Sequence, residues 1–398
     1  MTALPASPGR RLVRDRTTVA LDATFLIWGW FLYCFSPTVP LLATEQGVSL
    51  GTAGLHGTAL AVGTVIAGLL SERVARTLGR RRQIVLGAAT TSVGVVALLI
   101  GPGLAWTLSA CVIAAVGGNL TLAGSQPALL DHHGPAGPAA VTEANAYATA
   151  VGLLAPLALG LTVGAGLGWR PAVAITLVAT LGSSLLVLRE PGTGALGVPA
   201  APQTTTHHER SGLGPTYWWL WVATVSGVAI ELSTTFWASE LVRERAGATE
   251  AVAASVVASL LAGMTVVRLA VPRLTRRTPA AMLLLAGYAV AAAGWLVFWL
   301  ATTPWLAVVG LFVAGLGYGT HYPLAVSLLI RAAGDRPDLG QARALLGVGA
   351  AVGVAPFLLG AAADVVGAHT AFLLVPLLLV VATAALTRVL RTTGAGAL

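Results

Sequence analysis

Ala155-Pro156-Leu157-Ala158-Leu159-Gly160 and, 200 residues further on, Ala355-Pro356-Phe357-Leu358-Leu359-Gly360 lie in two long apolar stretches of the chain. The same shift brings Gly63 onto Gly263, Arg73 onto Arg273, Arg76 onto Arg276 and Gly87 onto Gly287. Glycine is common enough here that single coincidences mean little. A shared Ala-Pro-x-x-x-Gly at the offset of two arginine pairs means more: the chain is built from two related halves.

Working outward, the 398 residues are 56% hydrophobic and only 10% charged, where soluble domains carry about 25% charged residues. Apolar residues come in blocks of about 20, the length a helix needs to cross a bilayer. The blocks predict spans over 18–43, 52–70, 83–101, 105–130, 141–165, 170–188, 216–238, 251–271, 279–300, 305–330, 342–363 and 369–388. The fold class expected is an all-α membrane protein with twelve transmembrane helices in two pseudo-symmetric six-helix bundles. The bundles cover 1–190 and 216–398. Between them lies a polar, turn-rich linker at 191–215, with Pro191, Gly192, Pro199, Pro202 and His207-His208.

Composition excludes several function classes. Every basic residue other than histidine is arginine. Without lysine there is no Walker-A phosphate loop, so an ATP-driven pump would need a partner subunit for its nucleotide site. Schiff-base chemistry is excluded for the same reason. Cys34 and Cys111 lie inside apolar runs and read as small buried hydrophobes. The net charge of +8 comes from arginines scattered beside apolar spans, which points to membrane topology rather than nucleic acid. Asp131-His132-His133 and His207-His208 have no further ligands at metal spacing and read as solvated loops. No metal, cofactor or enzyme active-site motif is expected.

With twelve spans, both termini share one side. That side holds all the arginines except Arg170, Arg243 and Arg245, so the positive-inside rule makes it cytoplasmic and the protein a multi-pass cytoplasmic-membrane protein. The first 16 residues read as a cytoplasmic flank of span 1, not a secretion signal. Trp218, Trp219 and Trp221 fall at the inner end of span 7. Trp106, Trp169, Trp237, Trp299 and Trp305 fall at outer ends, as an aromatic belt requires.

The loop after span 2 reads Gly68-Leu-Leu-Ser-Glu72-Arg73-Val-Ala-Arg76-Thr-Leu-Gly79-Arg80-Arg81-Arg82. It resembles the loop signature of the major facilitator superfamily, with Glu for the usual Asp and extra residues before the second glycine. The resemblance extends over essentially the whole chain. Gly152, Pro156 and Gly160 partly match the pattern of the family's antiporters, and Ser36 to Glu45 is similar to its sugar and small-organic-molecule permeases. The likeness implies two bundles rocking about a central cavity, with Gly68, Glu72, Arg73, Arg76, Gly79, Arg80 and Arg81 as a gating loop. Span 4 has no arginine of the kind drug/proton antiporters carry, and Asn119 stands in the zone where sugar symporters place an acid.

Polar groups within the spans are candidate site residues, because a charge in the hydrocarbon is costly and is kept for a reason. Glu231, near the middle of span 7, shares a helical stripe with Thr234 and Thr235. It is the first candidate for proton coupling or substrate binding, and Asp22 in span 1 is the second. The bland readings are a neutral glutamic acid bonding a neighbouring helix and a helix-end aspartate. Trp28 and Phe31, Asn119 and Gln126, and His321 and Tyr322 are candidate cavity lining. Glu143 and Asp364 read as helix caps or interface charges. The function expected is a secondary transporter exporting a small organic molecule, coupled to protons, by alternating access. Uptake of a sugar-like solute is the alternative, and a transport-dead sensor is the rival from another class. Partners expected are the substrate, protons and the lipid bilayer, with the protein monomeric and bound to no nucleic acid.

Overall fold

The computed structural model describes residues 13–198, 213–275, 277–334 and 337–393. Arg276, Arg336 and the linker histidines His207 and His208 therefore lie outside the described residues. Twelve helices among them are long and apolar enough to cross a membrane. They are α1 (Arg16–Gln46), α2 (Leu50–Leu78), α3 (Arg80–Ile100), α4 (Leu104–His133), α5 (Gly137–Gly164) and α6 (Arg170–Arg189). The second half supplies α7 (Pro215–Ala246), α8 (Glu250–Leu274), α9 (Ala280–Leu300), α10 (Pro304–Ala332), α11 (Pro337–Ala371, broken at Gly367, φ +80) and α12 (Leu374–Thr393).

Local chemistry fixes the ends. Asp15, Ser49, Thr249 and Thr303 cap α1, α2, α8 and α10 with side-chain oxygens, satisfying first-turn N–H groups that have no helical partner. Within α1 the chain tightens to a 3-10 turn at Ser36–Thr38, because Pro37 brings no N–H. Ser36 Oγ donates to the Leu32 carbonyl at 2.7 Å and Thr38 Oγ1 to the Cys34 carbonyl at 2.9 Å. Two helices run well past the predicted spans, α2 to Leu78 and α7 to Ala246. The apolar pattern stops at Glu72 and Glu240, but pairs along the helix, Glu72 with Arg76 and Glu240 with Arg243, keep the backbone helical beyond it.

The 200-residue repeat is a structural symmetry. A Cβ at Gly63 would meet the Val112 carbonyl, and one at Gly263 the Phe312 carbonyl. Gly87 sits against Gly117 and Thr121, Gly287 against Gly317 and Thr320. Equivalent glycines thus let equivalent helix pairs approach closely in each bundle. The bundles meet chiefly at two crossings, α2 with α11 and α5 with α8, and the last part of α1 also touches α7; the repeat maps one crossing onto the other. Gly160 of α5 packs on Ser255 of α8, and Gly360 of α11 packs on Leu50 of α2. Both contacts lie at the end of the molecule opposite the termini, so the bundles are closed at that end.

Candidate functional site

Near mid-depth, where the bundles face each other, α7 and α8 bring together the two charges that decide the site. Glu231 Oε2 lies 3.9 Å from Arg268 Nη2, with side chains 15% and 28% exposed. Neither points wholly into packed protein. The separation is an attraction without a hydrogen bond, so carboxylate and guanidinium both keep bonding capacity for a ligand. Arg268 also reaches the other bundle: Nη1 lies 3.4 Å from Thr149 Oγ1 on α5, and the Tyr33 hydroxyl on α1 is within hydrogen-bonding reach. Tyr33, Tyr318 and Tyr322 all feel the Glu231 charge. An acid and a fixed cation of the second bundle therefore meet hydroxyls of Thr149 and Tyr33 from the first.

The sequence places Arg268 among the charges flanking span 8, and the structure corrects this. Its guanidinium lies beside Glu231. The signal in the sequence is its setting, Val266-Val267-Arg268-Leu269-Ala270-Val271, apolar on both sides, where a topogenic arginine would sit among polar neighbours.

The other predicted site residues divide. Tyr322 is half-buried near Glu231, and Trp28 is half-buried with its ring over Gly118 of α4. Asn119 is half-buried and donates through Nδ2 to Thr64 Oγ1 at 3.0 Å and to the Ala115 carbonyl at 2.8 Å, a tie between α2 and α4. Gln126 is half-buried on the same helix. Phe31, by contrast, is fully buried and stacked on Phe35, with centroids 5.5 Å apart. Thr234 and Thr235 are buried, bonding the Ile230 carbonyl with Tyr318, and the Glu231 carbonyl. His321 is also buried, 4.8 Å from the Tyr288 ring and against Gly227. These four belong to bundle interiors, not to a cavity wall. Asp22 is buried within the first bundle, its nearest charges Glu143 and Arg14; it is not brought to Glu231.

At the terminal end, Glu72 and Arg76 form an exposed pair at 3.5 Å along α2, and Arg73 makes no ion pair among the described residues. Gly68 meets no neighbour within 4 Å. The rest of the signature is fixed: Gly79 turns the chain with φ +81, Arg80 pairs with Asp131 and the Ala195 carbonyl, and Arg81 bonds the Leu188 carbonyl. These arginines pin the start of the linker to α3. The supposed solvated loop at 131–133 is the last turn of α4. His132 Nε2 lies 2.7 Å from Asp15 Oδ2 and His133 Nε2 2.9 Å from Thr18 Oγ1, fastening α4 to α1. Glu143 takes Arg14 in a two-pronged contact at 2.6 and 2.8 Å. No group of three or more potential metal ligands occurs among the described residues.

The opposite end is sealed by a carboxylate. Asp364 of α11 accepts from the Leu50 and Gly51 N–H groups of α2, each at 2.7 Å, one through each oxygen. It is a helix cap, as its position in span 11 suggests, but for a helix of the other bundle. Trp237, expected in the lipid belt, is fully buried and donates Nε1 to the Pro356 carbonyl at 2.7 Å. Trp169 is buried too, bonded to Glu45 beneath Arg170. Trp106 and Trp305 do stand exposed.

The family model described as Major Facilitator Superfamily matches residues 23–337. No curated protein matches the chain in sequence. Several solved structures share the fold. A bacterial homologue of the human lysosomal transporter Spinster, inward-facing and unoccupied, superimposes with a TM-score of 0.74 at 16% identity, covering 96% of this chain and 98% of that one. The nucleoside transporter NupG gives 0.71 at 12%, covering 94% and 98%. The xylose transporter XylE from E. coli, partially occluded and inward open, gives 0.74 at 14%, covering 94% and 97%.

Proposed function

This chain belongs to the major facilitator superfamily and transports a small solute across a membrane by alternating access, and from that premise we propose that Glu231 and Arg268 form a coupled proton-and-substrate site for a small organic acid. The observation that carries the reading is the pair itself, close enough to attract, not bonded, and partly accessible. Arg268 favours the ionised form of Glu231, whereas a poorly hydrated setting favours the neutral form. A substrate carboxylate taking Arg268 removes the first influence, and Glu231 then binds a proton. Substrate and proton thus favour each other's binding, and that mutual preference is what symport requires.

We infer from the arginine distribution that the terminal end is cytoplasmic, so the crossings at Gly160 and Gly360 close the outward end. Proton-driven symport through the pair moves substrate into the cell. Export, expected from the apolar character of the spans, is the second reading; it holds for a cationic substrate, which competes with the proton for Glu231. Glu72, Arg73 and Arg76 act at the cytoplasmic gate on either reading, the exposed Glu72–Arg76 pair separating to engage the second bundle when that end closes, while Gly79, Arg80 and Arg81 hold the linker start.

The test is flux in proteoliposomes with a pH electrode. Symport predicts that addition of an organic acid alkalinises the medium on the side of addition, and that Glu231→Gln abolishes pH-gradient-driven flux while leaving substrate exchange. Arg268→Ala should raise KM steeply, and Arg268→Lys less so. Unchanged pH-gradient-driven flux in Glu231→Gln removes the residue from coupling, and acidification on substrate addition establishes exchange.

A further inference from the structure

Outside the central site, a groove of about 940 Å³ lies on the flank of the second bundle, between α9 and α12 with the first turns of α7. Its floor is small and apolar, with Ala289, Ala292 and Ala384, and its walls include Leu285 and Val380. Arg388 and Arg391 stand at the end near the termini. The Arg388 guanidinium lies 4.9 Å from the centre of the Trp219 ring, and neither arginine forms an ion pair among the described residues. Tyr288 also lines the groove, buried and with no hydrogen-bond partner for its hydroxyl.

The repeat shows why this space is specific to the second half. In the first bundle, Ser92 of α3 and Thr180 of α6 are hydrogen-bonded at 2.7 Å. Their counterparts are Ala292 and, because α12 runs one residue out of the 200-residue register (Arg170 bonds the Leu99 carbonyl where His369 meets that of Trp299), Leu379; neither can bond, and both line the groove. The linker start completes the cover on the first bundle: Arg81 bonds the Leu188 carbonyl, and Leu196 is buried against Ile84 and Val187. Where one bundle closes a seam with a hydroxyl pair and a strap of chain, the other leaves an apolar trough with two cations at its mouth.

We propose that this groove binds an anionic phospholipid. The phosphate sits on Arg388 and Arg391 beside Trp219, and one acyl chain runs along the alanine floor. Both walls are membrane-spanning helices, so the occupant available along the trough is an acyl chain. The cations then select among headgroups, because each arginine near the bilayer surface favours an anionic lipid. Trp219 suits the interface between headgroup and chain.

The experiment titrates full-length protein in detergent with phosphatidylglycerol and with phosphatidylcholine of the same chain length, following bound lipid by native mass spectrometry. Phosphatidylglycerol is expected to be retained preferentially. The double variant Arg388→Gln/Arg391→Gln should lower that preference about 25-fold, a factor of about five for each arginine. Ala292→Leu, which fills the exposed trough and leaves both arginines, should weaken retention of either lipid. Equal retention of the two lipids overturns the proposal, as does a preference untouched by the double variant. Inorganic phosphate displacing the lipid at millimolar concentration would reduce the site to an anion subsite and also overturn it. So would lipid that binds only after residues 394–398 are removed, because the tail would then be the occupant.

Discussion

Asp364→Asn tests how the molecule holds its closed end. The carboxylate accepts two N–H groups from the first turn of α2, each at 2.7 Å, and both bonds cross between bundles. Asparagine keeps one acceptor oxygen, but turns an NH₂ donor towards the second N–H and carries no charge. The loss is that of one hydrogen bond to a charged group, about 1.5–3 kcal/mol, with up to about 1 kcal/mol more from the α2 dipole. Every part of it is made only while that end is closed, so all of it enters the equilibrium between states. At about 1.4 kcal/mol per tenfold, the odds of the opened form rise about 10- to 150-fold from the hydrogen bond alone.

Ser255 offers a reporter at the second crossing, where it packs on Gly160. In a background with Cys34→Ala and Cys111→Ala, Ser255→Cys can be labelled with a small water-soluble thiol reagent. The labelling rate follows the fraction of time the crossing is open, and adding Asp364→Asn should accelerate it by the same factor of about 10 to 150. An unchanged rate in a variant that unfolds at the parent's temperature refutes the reasoning: the cap would then be holding α2, not joining the bundles.

Trp237→Phe leaves the ring volume nearly intact but removes the Nε1 bond to the Pro356 carbonyl, and should cost about 0.5–1.5 kcal/mol, read as a lower unfolding midpoint in detergent. Gly79→Ala places a side chain at φ +81, a strain of about 1–3 kcal/mol, and should loosen the linker start to limited proteolysis. Burial pushes the Asp15 carboxyl up, but hydrogen bonds from the Thr18 N–H, the Thr18 hydroxyl and His132 outweigh it and hold the carboxyl below the usual aspartate range. Its stabilisation is therefore present above the unfolded value of about 4 and fades as pH falls through the lower folded value. Asp15→Ala should cost about 0.5–2 kcal/mol at neutral pH and flatten that acid limb in a thermal-shift series.

What the sequence reveals about this protein follows from how many residues share in each signal. Twelve spans and their common orientation are written by hundreds of apolar residues and a score of arginines, and no single exception alters the sum. The repeat is legible because close helix crossings demand small residues at fixed positions: Gly63 and Gly263, or Gly160 and Gly360, admit no side chain at their crossings. The site rests on two or three residues, and there the same logic misleads. Arg268 reads as one more charge on an arginine-rich flank because a long side chain hides where its charge sits; the backbone lies towards one end of α8 while the guanidinium reaches back to Glu231 and Thr149. His321 and Asp22 mislead the other way. Each is a polar residue in an apolar run, but helical position alone does not say whether a face turns to the partner bundle or to its own. Glu231 is identifiable from its cost alone. Its partner is not, because the distance that pairs them runs between helices and leaves no spacing in the chain. A pair so placed can be separated by a ligand without breaking either helix, and this is why the proposed chemistry rests on the two together.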